Sequence, residues 1–366
     1  MRDGVAFDRD AYAVVLDRMR SAVTSGRFRA GRFLPPVREL SVKYGVSPET
    51  VRRGLKTLER ERLVVAEPRQ GFRVAARPGA DDARHCPVAY VTDYRGDLAN
   101  AQPANWAILG AFQRATAEIG STVLGAHAGG AGGGVVLEQL KAGRAWGIAL
   151  DTMDRSLLET LRASGLPVVM VNSFWEDAEV DVVIQDNYRG GFLAARHLVD
   201  AGCRRIAWFG ALGRYYHSRE RYAGAVAALA AAGLRFDESM LVEAEGGEAS
   251  GKARELLGRA NRPDGVLAFS EGALARLWEA ARQLGIQPEV ELRTVGWVVE
   301  ECYAIEYLPL FAGGPVPPAV VWKAASMAER ALALLAERRS GRAHEPVRVC
   351  VPTRLKFADK QEGRQP

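Results

Sequence analysis

GVSPETVRRGLKTLERERL, residues 45–63, packs five cationic side chains, Arg52, Arg53, Lys56, Arg60 and Arg62, into eleven positions while keeping Val51, Leu55 and Leu58 in helical register. Ser47-Pro48-Glu49-Thr50 is a full helix start. A serine caps, a proline is tolerated in the first turn because its missing N–H had no partner there, and a glutamate suits the positive end of the dipole. At the helical angle per residue, Val51, Leu55 and Leu58 fall within about 60° of one another, with Arg52, Arg53, Lys56 and Arg60 on a broad arc opposite. One face belongs to a core and the other suits phosphates and base edges.

Working outward, AYAVVLDRMRSAVTS (11–25) has apolar residues at helical spacing and Gly26 ends it. VRELSVKYG (37–45) is a second, short helix, and LVVAEPRQGFRVAA (63–76) reads as two strands joined at Pro68-Arg69-Gln70-Gly71. Three helices and a hairpin make a winged helix-turn-helix. Its charge fits: residues 1–75 hold 16 Lys and Arg against 9 Asp and Glu, a net +7, whereas the other 291 residues hold 33 against 35, a net −2. A localised cationic surface of that kind meets a polyanion. Laid in a major groove, the helix places Arg52 and Arg53 near base edges, where arginine pairs with guanine, and Lys56, Arg60 and Arg62 nearer phosphate.

RPGADDARHCP (77–87) lacks periodicity and marks a linker. The expected organisation is a winged helix-turn-helix over 1–76, a linker over 77–86, a large domain over 87–358 and a disordered tail over 359–366. In the large domain, apolar runs such as PVAYV, WGIAL, PVVMV, RIAWFG and GVLAF alternate with amphipathic stretches. That alternation implies parallel sheets covered on both faces, in two lobes, with a ligand beyond the carboxyl ends of the strands.

With 48% hydrophobic and 25% charged residues the composition is that of a globular protein. MRDGVAFDRD has no apolar segment of the signal-peptide kind, and no run reaches the eighteen or so apolar residues a membrane span needs, so a cytoplasmic protein is expected. Cys86, Cys203, Cys302 and Cys350 are far apart, which predicts reduced, mostly buried thiols and no metal. The five histidines are dispersed without H-E-x-x-H, no G-x-S-x-G is present, and GGAGGG (129–134) satisfies neither nucleotide-binding glycine pattern, so it reads as a loop. Neither catalysis nor a cofactor is expected.

The stretch SGRFRAGRFLPPVRELSVKYGVSPETVRRGLKTLERERLVVAEPRQGFRV (25–74) resembles the GntR-type winged helix over about sixty residues. The resemblance implies duplex DNA as partner, with Arg38 before the second helix's Leu, Ser47, Thr50 and Arg52 at the third helix and Arg69 to Gly71 at the wing tip in contact with it. It departs at Pro36-Val37 and at Pro48, where the family has Ser-Glu and arginine. Glu49 either accepts from a cytosine amino group or serves the helix dipole.

The remainder, from 87 to 356, resembles the effector domain of LacI-type repressors, related to periplasmic sugar-binding proteins. The residues carrying this are GLPVVMVN (165–172), VVIQDNYRGGFLAARHLVDAGCRRIAWFGA (182–211), SRERYAGAVAALAAAGL (218–234) and TVGW (294–297). The resemblance implies a homodimer on a pseudo-palindromic operator, acting as a repressor, and an effector, a sugar in that family, held by Asp186 and Arg221. The alternative for these two is an ion pair across the hinge. Ser270-Glu271 stands where the family has Asn-Asp, and Trp297-Val298 replaces Tyr-Asp, which removes a ligand-facing carboxylate. Trp106, Trp175, Tyr215, Tyr216 and Trp297 offer ring faces for a ligand or for the core. A regulator whose diverged body senses a non-sugar ligand, or none, is the second reading; a solute-binding protein or an enzyme ranks lower.

Overall fold

The computed structural model describes residues 12, 15–16, 18–20, 22–23, 28, 31–60, 63–67, 70–74, 86–92, 103–128, 132–213, 215–341 and 345–358. The expected linker, the tail and Arg69 lie almost wholly or wholly outside them. The chain divides into two compact units, Met1–Arg84 and His85–Pro366, called the head and the body below.

In the head, the described residues between 12 and 23 are helical, followed by the helices Val37–Tyr44 and Pro48–Arg60 and the strands β1 (Val64–Glu67) and β2 (Gly71–Val74). Gly45 closes the second helix in the left-handed conformation that glycine adopts without steric cost, its φ being 68°, and this sets the tight turn into the third helix. Val51, Leu55 and Leu58 are fully buried and pack with Val15, Met19, Val23, Leu34, Leu40, Val64 and Val74. Each such apolar side chain contributes about 1.5–3 kcal/mol on burial. β1 and β2 pair antiparallel, Val64 opposite Val74 and Glu67 opposite Gly71.

The body holds two six-stranded sheets. The N-lobe sheet, in spatial order, comprises β13 (Arg348–Val351), β7 (Asp181–Gln185), β6 (Val168–Val171), β5 (Gly147–Asp151), β3 (Val88–Thr92) and β4 (Val123–His127). The C-lobe sheet comprises β14 (Arg354–Lys356), β12 (Ala319–Trp322), β11 (Arg293–Val299), β10 (Gly265–Ala268), β8 (Ile206–Phe209) and β9 (Leu241–Val242). Every pairing is parallel except β12 with β14. Parallel strands buried on both faces need apolar runs, and β5, β6, β8, β10 and β12 are buried throughout.

The chain passes between lobes three times: after β7, through the helix Ala324–Arg339 that leads from β12 to β13, and from β13 to β14. Two of these crossings are tied together, because the Asp186 amide donates to Val351 O at 2.8 Å and Thr353 Oγ1 donates to Asp186 O at 3.0 Å. At a third point Glu301 accepts from the Ala324 and Ala325 amides at 3.1 and 2.9 Å, capping the helix that returns to the N-lobe.

The glycine-rich stretch corrects an expectation. Gly132–Ala142 is a helix, so the second half of GGAGGG opens a helix rather than forming a loop. Val136 and Leu140 supply its buried face, and Gly133 is small because a Cβ there would meet Thr160 at 2.7 Å. The cysteines are free, with Cys203 and Cys302 buried, Cys86 half-buried and Cys350 exposed, so only two of the four fit the expected burial. No helix among the described residues is long and apolar enough to cross a membrane.

Candidate functional site

The head presents a cationic helix face whose side chains do different things. Ser47 caps the helix Pro48–Arg60, its Oγ accepting from the Thr50 amide at 3.1 Å and lying 2.8 Å from Thr50 Oγ1. Thr50 is nearly buried, so these two residues fix the helix start. Arg52 stands with its side chain 56% exposed and donates to Glu49 at 3.1 Å, an i,i+3 pair. Glu49 therefore has a third role beside the two expected of it: it steadies Arg52. Arg53 lies over the Tyr12 ring at 4.4 Å, and Tyr12 Oη is 2.9 Å from Thr57 Oγ1. The first helix thus holds Arg53 against the third by a cation–π contact, a use the sequence reading missed. Lys56 and Arg38 are exposed. Gly71 opens β2 with φ 106°, a left-handed value that the wing turn requires, and Arg73 is neutralised by Glu67 at 2.6 Å.

In the body, a buried polar chain runs along the carboxyl ends of the strands and across the hinge. Tyr90 Oη donates to Asp151 Oδ2 at 3.3 Å, Asn172 Nδ2 donates to the same oxygen at 3.1 Å, and Gln185 Nε2 donates to Asn172 Oδ1 at 3.2 Å. Asn172 holds φ 63°, which asparagine tolerates better than most residues. Beyond the hinge, Asn187 Nδ2 donates to Gln185 O at 2.9 Å, and its Oδ1 accepts from Arg221 Nε at 2.9 Å. Arg221 Nη1 then donates to Phe269 O at 2.9 Å.

Asp186 and Arg221 are thereby separated in role. Asp186 is the N-cap of the helix Asn187–Asp200, accepting from the Arg189 amide at 3.0 Å, and Asn187 is the partner of Arg221. The expected alternative, an ion pair across the hinge between Asp186 and Arg221, is not formed. Asn187, which the sequence reading did not single out, is the residue that meets Arg221. The signal for Asp186 was available: an aspartate beginning a helix turns its carboxylate back onto the helix amides.

Arg221 is 6% exposed, its guanidinium 3.8 Å from the centre of the Trp297 ring and 5.3 Å from that of Phe269. Burial pulls its pKa down to about 9, with Glu271 and Glu220 opposing this through space, so it carries its charge at neutral pH. Three glycines make the arrangement possible. A Cβ on Gly190 would come within 2.2 Å of the Trp297 ring, one on Gly191 within 1.9 Å of Arg221 O, and one on Gly224 within 1.9 Å of Tyr188 O. Only bare backbone lets the helices Asn187–Asp200 and Tyr216–Ala231 approach closely enough to bring Asn187 against Arg221.

Tyr215 joins the same region, its ring stacked with His217 at 5.1 Å and Phe269 at 5.9 Å, and its hydroxyl donates to Glu245 at 3.0 Å. Burial, and then the charge of Arg221, hold the His217 pKa well below its usual value. Ser270 caps the helix Glu271–Gln283 by accepting from the Ala273 amide at 3.3 Å, and burial raises the pKa of Glu271. Trp106, by contrast, is 45% exposed on the helix Pro103–Glu118. Tyr216 packs on the N-lobe's Phe174 at 5.1 Å, and Arg348 both stacks on Phe174 at 4.2 Å and pairs with Glu220 of the C-lobe. Two surface hollows of about 350 and 220 Å³ lie elsewhere, beside Glu243 and Lys252 and beside Asp181 and Arg338. No cluster of three metal-ligating side chains occurs among the described residues.

Comparison with known proteins agrees with this division. Residues 11–74 match the model for bacterial regulatory proteins of the gntR family, and residues 195–357 match a periplasmic binding protein-like domain. The HTH-type transcriptional regulator DegA of Bacillus subtilis (strain 168) is 31% identical over 166 residues, 44% of this chain and 49% of that protein. The HTH-type transcriptional regulator CelR of Thermobifida fusca is 30% identical over 181 residues, 49% of this chain and 51% of that protein. The chain thus spans about half the length of these curated relatives. A solved structure described as a transcriptional regulator CelR–cellobiose complex superposes with a TM-score of 0.65 at 22% identity, covering 88% of this chain and 99% of that one, which shows the fold. The chain therefore carries a segment similar to the gntR family over 11–74 and one similar to periplasmic binding protein-like domains over 195–357, and shares the fold of the solved regulator.

Proposed function

We propose that this protein is a cytoplasmic transcriptional repressor whose affinity for duplex DNA is set by a small molecule bound between the lobes of its body. The observation that carries the reading is the pairing in one chain of an exposed cationic helix, Pro48–Arg60, with a buried polar chain that crosses a hinge from Tyr90 to Arg221. Exposed Arg38, Arg52 and Lys56, with Arg53 against Tyr12, supply the cations, and counterion release from the duplex supplies the driving force. The arginine before the wing glycine, Arg69, belongs to the same expected surface, as do Ser47, Glu49, Thr50 and Gly71.

The body acts by linkage. A ligand that binds one arrangement of the lobes better than another shifts the population, and DNA affinity changes by no more than that difference. A homodimer places two heads on two half-sites of a pseudo-palindromic operator. The effector is of the sugar class, supported by the likeness to a cellobiose complex, with Arg221, Trp297, Ser270, Tyr215 and Asp186 on the C-lobe and hinge side and Trp106 on the N-lobe side of the candidate site. The proposal requires neither a cofactor nor catalysis.

The test is fluorescence anisotropy of a labelled duplex from upstream of the protein's own gene, titrated with protein in the presence and absence of sugars and their derivatives. Retention of that duplex over a scrambled one, relieved by at least one compound, is the expected result. Equal retention of both duplexes under all conditions would overturn it. The second reading, a body that keeps its fold but takes no sugar, has one observation in favour: Val298 is a buried aliphatic at the strand end where the resembling proteins hold a carboxylate.

A further inference from the structure

The charge of Arg221 is the least balanced feature of the body. Its side chain is more than nine-tenths buried, yet both of its hydrogen-bond acceptors are neutral, an asparagine oxygen and a backbone carbonyl. Among the described residues no carboxylate lies within ion-pair distance of it. Trp297 Nε1, in the ring beneath the guanidinium, is buried without an acceptor among the described residues. A buried charge normally comes with a counter-charge, because removing a guanidinium from water costs several kcal/mol as an order of magnitude. The faces of Trp297 and Phe269 offset part of that cost without neutralising it.

The nearest acids do not fill the role. Glu220 is paired with Arg348. Glu271 acts on Arg221 only through space, and burial favours its neutral form. The next residue of β11 after Trp297 is Val298, which brings no acid. An indole N–H without an acceptor thus stands beside a buried guanidinium whose acceptors are both neutral, in a low-dielectric setting.

Resting on the effector reading above, we propose that the body's ligand carries an oxyanion, a carboxylate or a phosphate on a sugar-sized molecule, and that Arg221 with the Trp297 indole receives it. A planar guanidinium donates to two oxygens of such a group, and the anion completes the charge balance that the protein leaves open. A neutral polyol offers no such compensation.

The experiment is thermal unfolding of the full chain with matched pairs of compounds: glucose against glucose 6-phosphate, galactose against galacturonate, and cellobiose against cellobionate. Inorganic phosphate and acetate serve as isolated head groups. The charged member of at least one pair raises Tm by about 5 °C or more at a hundred-fold excess over its Kd, and its neutral partner does not. Phosphate and carboxylate arms separate the two sources of the anion. Arg221→Met abolishes the shift and Arg221→Lys retains part of it; a cooperative ligand-free melting transition close to that of the unmodified protein serves as the check that both variants fold. Neutral sugars raising Tm as much as their acids would overturn the anion assignment while leaving the effector reading standing. A flat panel would overturn the assignment, and if DNA retention were also unmoved by every compound, the effector reading would fall with it.

Discussion

Arg52 and Arg221 are the same side chain placed in opposite settings. Arg52 keeps more than half its surface in water and shares its charge with Glu49, whereas Arg221 is closed in by two rings and neutral acceptors. Charge in water costs little and is screened by salt, which suits repeated, reversible contact with a polyanion. A desolvated charge is expensive and strongly felt, which suits discrimination among small molecules. In the proposed function, the head reads by many weak, exposed contacts and the body concentrates its selectivity in one buried group.

The strongest way to break the comparison is at the glycines. Gly191→Ala drives a methyl into Arg221's own backbone, and the resulting strain is expected to cost about 3 kcal/mol, a melting point lower by roughly 5–10 °C. Calorimetry checks this. A methyl tolerated without loss would show that the close approach of the two helices is not needed. Next in size, Arg52→Ala should cost about 1–3 kcal/mol on the specific duplex and much less on random duplex, measured by anisotropy. Equal loss on both would place Arg52 with the phosphate contacts.

His217 sharpens the body's side of the contrast through pH. Its folded pKa lies well below 6.5 because burial and Arg221 disfavour the charged ring. As pH falls below 6.5 the unfolded chain takes the proton first. Stability is therefore intact above that value and is lost between it and the folded pKa, by up to about 1.4 kcal/mol per pH unit. His217→Gln should flatten the dependence of Tm on pH between about 6.5 and 5. The smallest effect is expected at the head, where Lys56→Ala should weaken specific and random DNA alike by less than about 1 kcal/mol and reduce the salt slope by about one.

The head was almost wholly legible because each of its elements is local. The period of Val51, Leu55 and Leu58, the Ser47 cap and the Gly45 turn are all decided within a few residues. What escaped there depends on distant partners: Arg53 on Tyr12, and Arg73 cancelled by Glu67 across the hairpin. In the body the alternation of strands and helices revealed the two lobes, but the immediate partner of Arg221 was not legible. Asp186 is spent on a helix cap, and Asn187 takes its expected place beside Arg221. Trp297 was seen as a possible ring face, but its partner emerges only from the approach of two helices across Gly191 and Gly224, which no local pattern encodes.

The most direct measurement of the central claim is the salt dependence of binding to a duplex from upstream of the protein's own gene. Between roughly 50 and 200 mM salt the affinity should fall by orders of magnitude, as it does when several phosphates are neutralised at once. The same duplex should stay preferred over random sequence at the lower salt. If the protein retains no duplex at all in the more dilute buffer, the exposed arginines of the head are not a nucleic-acid surface and the account is contradicted.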